Sequence, residues 1–103
     1  MQLLTDEARR TLPRYGEKDG CDVARVKFFT PDSSWTWYVS EFDGDDILYG
    51  LVDCFEVEFG TFSLKELQAV RGPLGLPIEH DISFTPIPLD QLYRELRSMR
   101  PIR

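Results

Sequence analysis

The sequence predicts an α+β fold: an antiparallel three- to four-stranded meander with a short N-terminal helix, a short middle helix and a C-terminal amphipathic helix. Three observations lead there. Apolar residues alternate with period two through the middle of the chain, in runs divided by turn-forming residues. Two Ser/Thr positions stand where helix N-caps are expected. Apolar residues near the end recur at helical spacing. The 103 residues match one domain, 1–103.

Each element has a local cause. Thr5 is a suitable N-cap for a helix to about Leu12, with Asp6 and Glu7 at its positive end. Leu4, Ala8 and Leu12 share a face, and Pro13 stops the helix because the residue before proline avoids helical backbone. Tyr15 to Asp22 reads as a polar loop. Val23 to Thr30 alternates as a strand, with Ala24, Val26 and Phe28 on one face and Arg25 and Lys27 on the other. Pro31-Asp32-Ser33-Ser34 is turn chemistry. Trp35 to Phe42 returns, with Trp35, Trp37 and Val39 opposite Thr36, Tyr38, Ser40 and Phe42. Asp43-Gly44-Asp45-Asp46 makes a second turn.

Ile47 to Phe59 is the longest strand candidate. Ile47, Tyr49, Leu51, Phe55, Val57 and Phe59 share one parity, and a bulge or break is expected near residues 50–54. Gly60 is expected to turn the chain. Ser63-Leu64-Lys65-Glu66 matches a capping box for a helix through about Val70, closed by Arg71-Gly72-Pro73. The loop Gly72 to Pro77 is apolar enough to be expected to pack on the body. Ile82-Ser83-Phe84 is a candidate edge strand, kept short by Pro86 and Pro88. Leu89, Leu92, Tyr93, Leu96 and Met99 form the packing stripe of the last helix, with Asp90 near its start and Arg97 and Arg100 near its end.

Charge narrows the function. The net charge is −6, and residues 28–81 alone hold two basic and eleven acidic side chains. That argues against a general nucleic-acid binder and suits a partner with a basic surface. The N-terminal stretch lacks a basic region and a long apolar run, so the expected location is the cytoplasm, without membrane attachment. Cys21 and Cys54 are expected to be reduced thiols, Cys54 as a small core residue.

Four stretches carry a resemblance. They are Val26-Lys27-Phe28-Phe29-Thr30-Pro31-Asp32-Ser33-Ser34-Trp35-Thr36-Trp37-Tyr38, Glu41-Phe42-Asp43, Phe62-Ser63-Leu64-Lys65-Glu66-Leu67 and Arg71-Gly72-Pro73-Leu74-Gly75-Leu76-Pro77-Ile78-Glu79. In order and spacing, from about Leu3 to Leu92, the chain resembles domain-of-unknown-function family 2958. The resemblance implies a setting on plasmids, integrative elements and phages, where small acidic proteins often bind host machinery, including restriction or defence systems. It implies no activity and no catalytic residues.

The candidate contact residues are Asp43, Asp45, Asp46, Glu56 and Glu58, together with Trp35 and Trp37. Glu56 and Glu58 on one strand face lie roughly 6.6 Å apart along it, and such a row can imitate a phosphate backbone; the plain alternative is a solvated sheet face with an ordinary turn. Asp43, Asp45 and Asp46 offer oxygen ligands but lack the closing Glu of a calcium loop. Trp and Tyr anchor interfaces, and the plain alternative is a half-buried sheet face. His80, between Glu79 and Asp81, is the one histidine, and no motif surrounds Cys21, Cys54, Ser33 or Ser34. Arg94, Arg97, Arg100 and Arg103 form a basic stripe that also complements the helix dipole. No catalytic residue, metal-ligand set or cofactor is assigned, and oligomeric state stays open. The expected function is non-enzymatic binding to a protein partner, in its sharper form inhibition of a host nuclease or defence complex through an acidic face. The alternatives are a nucleic-acid-binding accessory protein using Arg25, Lys27, Trp35 and Trp37, and a small metal-dependent enzyme centred on the His80 loop.

Overall fold

The computed structural model describes residues 3–14 and 23–99. The Tyr15 to Asp22 loop, Cys21, Arg100 and Arg103 lie outside the described residues. The architecture is α+β. In chain order the elements are α1 (Asp6–Thr11), β1 (Val23–Ala24), β2 (Val26–Phe29), β3 (Thr36–Phe42), β4 (Ile47–Asp53), β5 (Val57–Ser63), α2 (Leu64–Ala69), β6 (Glu79–His80), β7 (Ile87–Pro88) and α3 (Leu89–Ser98). Strands β2 to β5 form the expected meander, and β6 adds a fifth strand beside β2, giving the antiparallel order β5-β4-β3-β2-β6. A separate two-residue pair joins β1 to β7.

The helices start where local chemistry puts them. Thr5 Oγ1 accepts the Ala8 N–H at 3.1 Å, and Ser63 Oγ accepts the Glu66 N–H at 3.2 Å. Each satisfies a donor that the first helical turn leaves without a partner.

Both faces of the sheet are covered. On one, Leu3, Leu4, Ala8 and Leu12 from the α1 region and Leu64 and Leu67 from α2 pack on Val26, Phe28, Trp37, Val39, Phe42 and Leu48. On the other, Leu89 and Leu92 of α3 pack with Ala24 on Tyr38, Leu51 and Val57. Complete burial of a side chain such as Phe28 or Leu48 stabilises by about 1.5–3 kcal/mol. Tyr93 and Leu96 sit at the border of the second layer, but Met99 is exposed, one residue past the end of α3.

Three expectations change. The run from Ile47 to Phe59 is a hairpin, not one strand. The chain reverses at Cys54–Glu56, and Asp53 pairs with Val57. Cys54 therefore sits half-buried in a turn rather than in a strand core. Gly60 does not turn the chain but lies inside β5, opposite Gly50. The edge strand is Glu79–His80, and Ile82–Ser83 forms a turn in which Asp81 Oδ1 accepts the Ser83 N–H at 3.0 Å.

A bulge in β3 alters its faces. The register steps from Val39↔Gly50 to Glu41↔Tyr49, leaving Ser40 as the extra residue. The buried Ser40 hydroxyl donates to the Tyr49 carbonyl at 3.3 Å. Strict alternation groups Phe42 with Tyr38, but the bulge carries Phe42 to the face of Trp37 and Val39. Beside the bulge the backbones close up, and a β-carbon on Gly50 would collide with the Tyr38 carbonyl. A β-carbon on Gly60 would meet nothing within 4 Å.

These two glycines separate in a stability measurement. Gly50→Ala is expected to destabilise by about 3 kcal/mol or more, because backbone must move. Gly60→Ala is expected to change stability by less than about 1 kcal/mol. Urea unfolding of both variants checks the contrast.

Candidate functional site

The acidic set does not form one face. Asp43, Asp45 and Asp46 lie in the β3–β4 turn, and Glu56 and Glu58 lie at or beyond the β4–β5 turn, at the opposite end of the seven-residue β4. At about 3.3 Å per residue the two groups are roughly 20 Å apart. Glu56 is in the turn, so only Glu58 stands on the strand.

Two of the turn carboxylates are engaged by the fold itself. Asp43 Oδ1 accepts the N–H groups of Asp45, Asp46 and Ile47 at 2.8, 2.8 and 3.0 Å. These donors, Asp45 first, hold the Asp43 carboxyl below the usual range, with Arg14 adding to the effect. Gly44 completes the turn with φ +94°, backbone that L side chains rarely adopt. Asp46 accepts the Ser63 hydroxyl at 2.6 Å and the Lys65 N–H at 2.8 Å, which lowers its pKa in that order of importance. It thereby ties the β3–β4 turn to the start of α2. Asp45 is exposed.

The two tryptophans part company. Trp37 is 6% exposed and belongs to the core, so it offers no contact surface. Trp35 is 37% exposed, and its ring meets Phe55 edge-to-face at 5.5 Å between centroids. Phe55, at the apex of the β4–β5 turn, is 77% exposed. Strand parity placed it in the core, and only the reversal of the chain brings it out.

The apolar loop after α2 ends at the same side. It folds as a small hairpin, with an Arg71↔Pro77 bridge, a Gly72 N–H to Leu76 carbonyl bond of 2.9 Å and Gly75 at φ +83°. Asp32, in the β2–β3 turn, clamps it: Oδ2 accepts the Leu74 N–H at 2.8 Å, and the carboxylate lies against Gly72 where a β-carbon would collide. The loop is tied to the body through its backbone, but its apolar side chains do not pack as expected: Leu74 is 79% and Leu76 43% exposed. One end of the sheet thus displays Trp35, Phe55 and Leu74 with the exposed acids Glu56 and Glu58.

The other candidate groups are dispersed. Lys27 lies opposite Tyr38, on the face away from Trp37, and pairs with Asp81 at 3.8 Å. Arg25 instead lines a cleft of about 830 Å³ with Arg9, Arg10 and Arg14. His80 is half-buried on β6, edge-to-face with Phe28 at 5.6 Å. Burial pushes its pKa down, and Asp81 opposes this weakly. Among the described residues, no three His, Cys, Asp or Glu side chains gather as a metal-ligand set. No helix of the described residues is long and apolar enough to cross a membrane. Arg94 and Arg97 are exposed on α3, and Arg97 donates to the Tyr93 hydroxyl at 2.9 Å.

The family model described as protein of unknown function (DUF2958) matches residues 2–98. The chain belongs to that family. No curated protein and no solved structure matches it. In this DUF2958 member the stretches that carry the resemblance are joined in space: the 31–34 turn meets the 71–77 hairpin through Asp32, and the 43–46 turn meets the start of α2 through Asp46.

Truncating the aromatics distinguishes core from surface. Trp37→Ala is expected to cost about 3–5 kcal/mol, and Phe55→Ser less than about 1 kcal/mol, by chemical denaturation. Acid titration tests the turn. Carboxyls whose folded pKa is lowered add stability above their unfolded value of about 4 and lose it as pH falls through the lowered value. Asp43→Asn with Asp46→Asn is therefore expected to lower Tm at neutral pH and to flatten its fall below that value.

Proposed function

We propose that this chain is a non-enzymatic binding module that docks a protein partner with a basic surface. The observation that carries this reading is the exposed Trp35–Phe55 pair, held at the end of a sheet beside Glu56 and Glu58. Aromatic side chains on a rigid support anchor interfaces, and flanking acids steer a basic partner and set the salt dependence. The mobile-element setting that the family resemblance implies makes host machinery the partner class. The sharper form is an inhibitor of a host nuclease or defence complex.

This places the contact at the Phe55 end rather than along one acidic face. The test is capture from a nuclease-treated bacterial host lysate on tagged protein. Wild type and Asp45→Lys are expected to retain the same specific partner, and Phe55→Ser with Glu56→Lys to lose it. The complex is expected to weaken steeply with added salt. Retention by the Phe55/Glu56 variant, or loss with Asp45→Lys alone, would move the contact away from this end.

One observation favours a second reading, direct contact with nucleic acid. Arg9, Arg10, Arg14 and Arg25 surround a single cleft in an otherwise acidic chain. Retardation of DNA at low salt, abolished by Arg10→Glu with Arg25→Glu, would support it; no retardation would remove it.

A further inference from the structure

The sheet has two edges, and they differ. Strand β6 is only two residues long. Strand β5 runs for seven residues in unbroken register with β4. At its two ends the Leu64 N–H bonds the Asp46 carbonyl at 2.8 Å and the Cys54 N–H bonds the Glu56 carbonyl at 3.3 Å. In an antiparallel ladder the bonded positions alternate. Glu58, Gly60 and Phe62 therefore face β4 with their backbone groups. Val57, Phe59 and Thr61 turn theirs outward, where no strand of the described residues lies, and so does the Ser63 N–H, the Ser63 carbonyl being taken by the first turn of α2. The devices that blunt exposed edges are nearly absent, since β5 has no proline, no lysine and no bulge.

We propose that β5 is a homodimer interface, pairing antiparallel with β5 of a second copy about a two-fold axis at Gly60. Two five-stranded sheets then become one continuous sheet. The strand is self-complementary in this register, which an isologous contact requires. Phe59 falls opposite Thr61 with both backbone bonds open to form, and Val57 falls opposite Ser63, whose N–H is the group it offers. Aromatic against β-branched is a favourable cross-strand pair. Glu58 falls opposite Phe62 rather than its own copy, so no like charges meet. Glu56 falls opposite Leu64, beside Lys65, which sets opposite charges near each end. Gly60 meets Gly60 in open space. This interface lies along the edge strand; it shares Glu56 and Glu58 with the partner contact proposed above but leaves Trp35 and Phe55 outside it.

Sedimentation of the purified chain across the micromolar range tests the proposal. Wild type is expected to reach twice the monomer mass. Thr61→Pro is expected to stay monomeric with Tm near wild type, because it removes an outward N–H and no bond to β4. Gly60→Cys gives a second measure. A non-hydrogen-bonded antiparallel pair sets its Cα atoms about 4.5 Å apart, within disulfide range. Mild oxidation is expected to give a covalent dimer of this variant and none of wild type. A wild type that is monomeric at every concentration, a folded Thr61→Pro variant that dimerises unchanged, or a Gly60→Cys variant that fails to cross-link would each overturn the proposal. A strand from another protein would then be the occupant to seek.

Discussion

Strand β3, in the middle of the five-stranded sheet, is buried on both sides, with Trp37, Val39 and Phe42 against the α1 and α2 layer and Tyr38 against α3. The rest of the chain is arranged around that demand. A strand with two apolar faces needs two covers, and elements this short provide them by converging on it from both termini and, through α2, from the middle of the chain. The bulge at Ser40 belongs to the same constraint. It turns Phe42 toward the larger core, and the resulting approach of Tyr38 to β4 requires glycine at position 50. Side-chain burial, backbone register and one glycine are thus a single solution.

Much of the negative charge in the middle of the chain serves turns. Asp32, Asp43, Asp46 and Asp81 each accept backbone N–H groups in or across a connection. A carboxylate is a stronger acceptor than a neutral side chain, and a turn presents several donors at once. A dense run of acids between strands is therefore compatible with architecture alone. The acids that stand exposed beside the apolar Phe55 are Glu56 and Glu58, and the sheet end they occupy follows from the hairpin at Cys54–Glu56.

Asp32 and Asp46 also explain why distant stretches go together. Asp32 reaches a hairpin more than forty positions later in the chain, at Leu74, and Asp46 reaches Ser63 and Lys65. Each bond closes a long loop, so both ends must keep their local shape for either to hold. The anchored hairpin presents Leu74 to solvent rather than to the core, because its backbone, not its side chains, makes the attachment.

By itself the sequence determined the elements whose causes are local. Thr5 and Ser63 cap helices, Pro13 ends one, Asp43-Gly44 turns a hairpin, and the 3.6-residue stripe from Leu89 to Leu96 defines α3. The tertiary structure alone decided where a continuous pattern was divided and which side of it met solvent. The apolar parity from Ile47 to Phe59 is the same on both sides of a three-residue reversal, because Asp53 pairs with Val57, and only the polar Asp53 interrupts it. That interruption marks a bulge or break near residues 50–54 but does not distinguish a hairpin from one kinked strand. Trp35 and Trp37 have the same chemistry and parity, yet one is surface and the other core. Burial depends on which distant helix covers a position, and that is settled by contacts across the whole chain.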